Sequence, residues 1–255
     1  MSKNLAIAVA GAGGRLGGEI CKAIQYVDDL DLAFGVIRLG GEKPNGFPAP
    51  VFENINETAP KFDVLIDVST CDGVIQRLSE TTKPMVIGVT GFSEEQVEKI
   101  SRAAKKMPIL LTGNFSLGVN LLLDLAEQAA QKLGSGWQIK IKETHHIHKQ
   151  DYPSGTALML AGAVNSGLDT DLLLEPYLHP EEANQTQENT LPIISYRQGE
   201  EIGQHTIVLS NGSEEIELGH RALKRKVFAD GALSAVKWLA QQKPGFYGMK
   251  DVLGR

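Results

Sequence analysis

The stretch that decides the architecture is LAIAVAGAGGRLGGEI, Leu5 to Ile20. Its first half, Leu5–Ala10, is a continuous apolar run, the pattern of a strand buried on both faces of a parallel sheet. Its second half holds Gly11, Gly13 and Gly17 in the spacing G-x-G-x-x-x-G. That is one residue longer than the usual dinucleotide fingerprint. Leu16, Ile20, Ala23, Ile24 and Val27 then recur at helical spacing. Two readings of the turn stand open. It is a bare glycine connection, or it is a phosphate cradle in which Gly13 and Gly14 let backbone amides approach an anion at a helix N-terminus. Arg15 favours the cradle, because it sets a permanent cation where a phosphate would lie.

Outward from this unit the alternation continues. Leu32–Ile37 reads as a second strand, Phe62–Ser69 (FDVLIDVS) as another, and GVIQRLSETT as a helix. Pro84–Gly91 (PMVIGVTG) and Pro108–Ser116 (PILLTGNFS) are further buried strands. Between them SEEQVEKISRAAKK opens with Ser93 as N-cap and Gln96 three residues on, a capping-box pattern. This rhythm implies a Rossmann-type doubly wound parallel sheet.

The texture changes near residues 115–120. Leu121–Leu133 reads as a helix and WQIKIKETHH as a strand with one covered face. A helix follows Pro153, and a long polar loop follows around HPEEANQTQENT. Three alternating segments come next, IISYRQG, HTIVLSNG and EEIELGHRA, with Asn211-Gly212 as a hairpin signal. FADGALSAVKWLAQQ is helical again. The expected organisation is therefore a dinucleotide-binding domain over residues 1–116 and a C-terminal α+β domain with a mixed or antiparallel sheet over 117–227. The helical segment 228–255 returns to the first domain.

Bulk properties exclude several classes. A net charge of −6 gives no general basic surface for nucleic acid. Two cysteines, Cys21 and Cys71, make neither a disulfide framework nor a C-x-x-C pair. No apolar run approaches the roughly 18–20 residues of a membrane span, and the N-terminal run is too short for a signal peptide. The expectation is a soluble cytoplasmic protein.

The cofactor cues lie at predicted strand ends. Folds that prefer NAD place a carboxylate about 20 residues past the glycines, where it accepts from the ribose 2′-OH. Here Ile37 and Arg38 stand instead. Arg38 is suited to a 2′-phosphate, so NADPH is expected over NADH. Gly88–Gly91 and Thr112–Ser116 are small-residue loops on the edge where open α/β sheets bind ligands.

The densest chemistry is KETHHIHKQDYPSGTA, Lys142 to Ala157. Three readings of its histidines compete. As metal ligands, H-H-x-H along a strand sends His146 and His148 to one face and His145 to the other, a poor cage for one ion. No metal is expected. As bland surface, they are polar residues at a strand end. As a reaction site, imidazole delivers a proton near neutrality, Lys149 supplies a fixed cation, and the amides of Gly155 and Thr156 at a helix start receive an anion. The third reading uses all the parts at once.

These residues resemble a known family. The run E-x-H-H-x-x-K-x-D-x-P-S-G-T-A, Glu143 to Ala157, is similar to the signature of 4-hydroxy-tetrahydrodipicolinate reductase, also called dihydrodipicolinate reductase. GAGGRLG, GVTG, GNFSLGVN, RQGEEIGQHT and FADGALSAVKWL extend the likeness along nearly the whole chain. The resemblance implies NAD(P)H-dependent reduction of a cyclic dicarboxylate in lysine and diaminopimelate biosynthesis, by a homotetramer joined through its substrate domains. It implies His145 as acid/base and Lys149 as proton donor, with His146, Gly155 and Thr156 holding substrate carboxylates. Gly11, Ala12, Gly13, Gly14, Arg15 and Leu16 would bind the pyrophosphate. Gly88, Val89, Thr90, Thr112, Gly113, Asn114 and Phe115 would take the nicotinamide end. Two departures stand out: many members have an acidic residue at the position of Ile37, and some have an arginine within Ser69–Gly73. A metal-dependent hydrolase using the histidines and a non-catalytic dinucleotide sensor are the rival classes.

Overall fold

The computed structural model describes residues 4–43, 45–55, 59–178 and 189–254. The chain divides into two units, Met1–Leu117 with Lys226–Arg255, and Gly118–Arg225. Among the described residues no helix is long and apolar enough to cross a membrane.

The first unit begins with β1 (Leu5–Ala10), α1 (Arg15–Ile24) and β2 (Leu30–Val36). It continues through β3 (Val51–Phe52), β4 (Val64–Asp67), α2 (Cys71–Glu80), β5 (Met85–Ile87), α3 (Glu94–Ala104) and β6 (Pro108–Leu111). The sheet order is β12-β6-β5-β4-β1-β2-β3, with β12 at Gly245–Tyr247 and every pair parallel. The order reverses at β1 and β4, which makes the carboxyl edge there the natural ligand crevice.

The unbroken apolar runs have a direct cause. Along β1, Ile7 and Val9 enter the core beneath α1 and α6 (Lys226–Leu239), while Ala8 and Ala10 enter the opposite core beneath α2 and α3. All four are fully buried, so neither face tolerates a polar residue. The expected capping box is present at α3: Ser93 Oγ accepts from the Gln96 amide and Gln96 Oε1 accepts from the Ser93 amide.

The second unit comprises α4, β7 (Gln138–His145), α5 (Gly155–Leu168), β8 (Leu173–Tyr177), β9 (Thr190–Arg197), β10 (Gln204–Ser210) and β11 (Glu215–Arg221). Helix α4 spans Leu117–Leu133, a turn earlier than its apolar periodicity suggests. The five-stranded sheet runs β11-β10-β7-β9-β8. It is mixed: β10 is antiparallel to β7 and β11, whereas β9 is parallel to β7 and β8. The hairpin signal is correct, with Gly212 at φ 85° in the β10–β11 connection. One face is covered by α4 and α5 through Val119, Leu122, Ala126, Leu160 and Val164. Most of the polar loop read around HPEEANQTQENT, residues 179–188, lies outside the described residues.

The C-terminal segment is more than a helix. Helix α6 starts at Lys226, two residues before the expected boundary, and β12 then adds a strand beside β6. Helix α7 (Met249–Val252) closes the described chain.

Candidate active site

Two sets of residues carry chemistry, one in each unit. In the first unit a cavity of about 1110 Å³ opens at the ends of β1, β2 and β4. Gly11, Gly13, Gly14, Arg38, Gly40, Lys43, Ser69, Gly73 and Arg77 are among its lining residues. The Gly11 and Ala12 amides donate to the Val36 carbonyl at 2.9 and 3.2 Å, which ties the turn to the end of β2. Gly11 has φ 80°, and a Cβ there would lie 2.6 Å from the Val68 carbonyl oxygen. A Cβ on Gly17 would strike the Gly11 carbonyl oxygen. The glycines therefore let α1 begin directly against the turn, and the spacing G-x-G-x-x-x-G sets its first turn close to the cavity. That is a cradle fitted to a pyrophosphate at a helix N-terminus.

The remaining expected cofactor residues separate by what their side chains do. Arg15 is exposed at the first position of α1, and Leu16 packs against the core. Ala12 is 1% exposed and its amide is taken by the Val36 carbonyl, so it shapes the turn. Gly88, Val89 and Thr90 follow β5, and Thr112, Gly113, Asn114 and Phe115 follow β6, on the same carboxyl edge but outside the lining of the cavity. Thr112 Oγ1 accepts from the Asn114 amide at 3.1 Å, and Asn114 Oδ1 accepts from the Ser116 amide at 2.9 Å. Phe115 is buried, its ring against Gly88 and its carbonyl against Gly231, where any Cβ would collide. Its side chain is a packing element rather than a ligand contact.

Arg77 went unread in the sequence. Its Nε donates to Asp67 Oδ2 at 2.5 Å, and its Nη2 donates to Asp67 Oδ1 and to Ser69 Oγ. Both partners of the ion pair are buried. The family's loop arginine is absent from Ser69–Gly73, and Arg77 enters the cavity wall from α2 with its fork committed to Asp67 and Ser69. Two carboxylates also line the cavity near Arg38: Glu42, and Glu53, whose Oε1 accepts from the Gly40 amide at 2.8 Å.

In the second unit the chemistry is built by register. Strand β7 alternates, burying Ile139, Ile141, Glu143 and His145. Glu143 stands opposite His205 of β10 and Ser195 of β9, and His145 stands opposite Arg197. Glu143 Oε1 accepts from Ser195 Oγ at 2.7 Å and from the Ser154 amide at 3.1 Å, with Arg197 Nη2 3.6 Å away. Oε2 faces His145 Nδ1 at 3.2 Å and His205 Nε2 at 3.7 Å. Burial alone would raise the Glu143 carboxyl, but donors from His145, His205, Ser154 and Ser195 more than reverse this and hold it well below the usual carboxylate range. Burial pushes His205 down, so its ring resists protonation.

The strand ends at His145, so the expected alternation of the three histidines does not extend beyond it. His146 to Lys149 form a turn, closed by the Lys149 amide donating to the His146 carbonyl at 3.1 Å. His146 and His148 do lie side by side, with ring centroids 6.2 Å apart. Burial, with the Arg225 and His148 charges, lowers the His146 pKa. Lys149 Nζ pairs with Asp151 Oδ2 at 2.6 Å. Arg197 donates to the Lys149 carbonyl at 3.2 Å and to the Asp151 carbonyl at 2.7 Å, stapling this turn to the sheet. Ser154 caps α5 through the Ala157 amide, which sets Gly155 and Thr156 in its first turn, and the space beside Gly155 Cα is open. The ligand atoms that do converge, within 4.8 Å, belong to Glu143, His145 and His205 rather than to the H-H-x-H run. Glu143 Oε2 lies 3.2 Å from His145 Nδ1 and 3.7 Å from His205 Nε2, while Ser195 engages Glu143 and Ser154 engages both Glu143 and His205.

Both halves of the sequence match the two models of one family, described as "Dihydrodipicolinate reductase, N-terminus" over residues 5–115 and "Dihydrodipicolinate reductase, C-terminus" over residues 118–253. The chain belongs to the dihydrodipicolinate reductase family. It is 42% identical to a 4-hydroxy-tetrahydrodipicolinate reductase of Zymomonas mobilis, covering 97% of this chain and 96% of that one. It is 39% identical to the enzyme of the same name from Rubrobacter xylanophilus, over 97% of each. Its fold is that of a dipicolinate-bound dihydrodipicolinate reductase from a Paenisporosarcina species, with a TM-score of 0.80, 23% identity, and 97% and 99% of the two chains covered. Dihydrodipicolinate reductases bind a nicotinamide dinucleotide, and the glycine cradle in the first unit fits one.

Proposed function

We propose that this chain reduces 4-hydroxy-tetrahydrodipicolinate to tetrahydrodipicolinate with NAD(P)H, as a cytoplasmic step of lysine and diaminopimelate biosynthesis. The observation that carries the reading is a family match over both units, joined to the His145–Lys149–Gly155 constellation. The balance is one hydride and one proton added to the substrate and one water lost.

The bound reduced nicotinamide supplies the hydride. The Gly11–Leu16 turn holds its pyrophosphate at the α1 terminus through the amides of Gly13, Arg15 and Leu16, while the Gly11, Ala12 and Gly14 amides are spent on the Val36 and Gly11 carbonyls and shape the turn. Gly88–Thr90 and Thr112–Phe115 bracket the nicotinamide end through backbone groups. Arg38, with Lys43 on the same wall, favours a 2′-phosphate, and Ile37 offers no acceptor to a ribose hydroxyl. NADPH is therefore the preferred cofactor.

In the second unit, His146, Gly155 and Thr156 hold the substrate carboxylates, with the α5 N-terminus adding positive potential. Lys149 exchanges its Asp151 partner for substrate and donates a proton, and His145 acts as acid/base. Cationic groups around the carboxylates stabilise the negative character that hydride addition creates. The same reading assigns a homotetramer assembled through the second sheet, to be checked by light scattering.

The deciding experiment is a coupled assay in which pyruvate, aspartate semialdehyde and the upstream synthase generate substrate while NADPH and NADH oxidation are followed separately. His145→Gln and Lys149→Ala should each lower kcat by about 100-fold or more, with cofactor KM little changed. Oxidation of neither cofactor would overturn the function. NADH clearly outperforming NADPH, or an Arg38→Ala variant unchanged in preference, would overturn only the cofactor assignment.

A further inference from the structure

We propose that Glu143 is a positioning residue that fixes the ring of His145, and that Gly203 keeps the opposite ring nitrogen open for proton transfer. The proposal rests on the reading of His145 as the acid/base and adds what sets its protonation geometry.

Glu143 is 1% exposed, and its two oxygens are unequally used. Oε1 is taken by the Ser154 amide and Ser195 Oγ, with Arg197 beyond. Oε2 and His145 Nδ1 are both shut from solvent and neither makes a well-aligned hydrogen bond; each has the other as a facing group, at 3.2 Å. The consequence is a fixed tautomer. A buried anion beside Nδ1 keeps a proton on that nitrogen, so the proton that comes and goes is on Nε2. His205 sits edge-on to the same ring, with centroids 5.1 Å apart, and its Nε2 is engaged with Ser154 Oγ at 3.0 Å. It walls the ring on that side.

Nε2 lies beside Gly203, just before β10. A Cβ built there would lie 3.1 Å from Nε2 and 3.5 Å from Cδ2. Gly203 does not occupy the left-handed region, so its backbone is open to any residue and turn geometry does not explain the glycine. The missing side chain leaves the approach to Nε2 clear. In the transfer the Nε2–H bond breaks and its proton passes to substrate. The electron pair stays on Nε2, and the imidazolium becomes a neutral ring still bearing its Nδ1 proton. Solvent restores the Nε2 proton afterwards.

Two variants and one spectroscopic measurement test this. Glu143→Gln keeps the shape and removes the charge. It should lower kcat about 100-fold at unchanged cofactor KM. Gly203→Ala should lower kcat at least about 10-fold, with the melting temperature and cofactor KM close to wild type. Nitrogen-15 spectra of the wild-type chain should show His145 protonated at Nδ1 when neutral. Where Glu143→Gln does not fold, the wild-type spectrum and Gly203→Ala decide. A neutral His145 protonated at Nε2, or full turnover in Gly203→Ala, overturns the proposal. His145→Gln separates the layers: if it retains turnover the parent reading fails, whereas its loss alongside active Glu143→Gln and Gly203→Ala sinks only this one.

Discussion

Replacing Arg77 with methionine is expected to strand a charge. Asp67 is fully buried at the end of β4 and receives the Arg77 Nε at 2.5 Å and Nη2 at 3.2 Å. Removing one partner of such a pair typically costs about 3–5 kcal/mol, because the other charge stays buried. Asp67 keeps two donors, the Ser69 amide at 3.1 Å and Ser69 Oγ at 2.6 Å, which places Arg77→Met at the lower end, about 3 kcal/mol. With a urea slope of about 2 kcal/mol per molar, the unfolding midpoint should fall by roughly 1.5 M. Circular dichroism across a urea series measures it. Ser69, which Arg77 holds, and Thr70, Asp72 and Gly73 at the start of α2 line the cavity of the first unit, so on the proposed function the KM for the nicotinamide cofactor should rise more than kcat falls. The control is Asp67→Asn combined with Arg77→Met, which removes the stranded charge and should recover at least about half the loss. A midpoint within about 0.3 M of wild type in Arg77→Met would refute the magnitude. A double variant worse than the single would refute the cause.

Other outcomes follow from packing and titration. Gly231→Ala drives a methyl into the Phe115 carbonyl and should cost about 2–3 kcal/mol in chemical denaturation, unlike Gly162→Ala, which meets open space. Acid should weaken the second unit in two windows. His205 is held below its ordinary 6.5, so as pH falls through 6.5 the unfolded chain takes up a proton that the folded one refuses. Glu143 is held below its ordinary 4.5; its contribution is complete above 4.5 and fades as pH drops toward the folded value. Urea midpoints at pH 7, 5.5 and 4 should therefore fall in that order; a midpoint higher at pH 5.5 than at pH 7 would contradict the His205 assignment, and one higher at pH 4 than at pH 5.5 the Glu143 assignment.

The parallel sheet was legible because strands buried on both faces cannot hide their composition: β1 places Ile7 and Val9 in one core and Ala8 and Ala10 in the other. The Ser93 cap was legible because its partners lie three residues apart. What escaped was non-local. Strands β3 and β12 are two and three residues long, too short for any period. The covered face of WQIKIKETHH marked Glu143 for burial, but only the pairing of β7 with β9 and β10 shows that Ser195 and His205 meet it, 52 and 62 residues on. The parallel sense of β9 beside β7 carries no mark in alternation, which looks the same in either direction. Arg77 reads as an ordinary helical cation until Asp67, ten residues earlier, is found beneath it. The groups proposed to transfer protons, His145 and Lys149, were legible as a dense local motif; the partners that Glu143 finds on β9 and β10 were not.

The return of the chain to the first sheet has a consequence for biogenesis. Helix α6 puts Ala229, Ala232, Leu233, Val236 and Leu239 into one of that sheet's two cores, and β12 covers the open edge of β6. A ribosome that has released residues up to 225 has delivered every strand of the second unit but only part of the first. The contiguous unit is free to close at once, while the cradle-bearing one carries an uncovered apolar face until α6 emerges. A nascent-chain stall before Lys226 would thus hold a folded histidine cluster while the first unit is still incomplete, the state in which a chaperone has the most to protect.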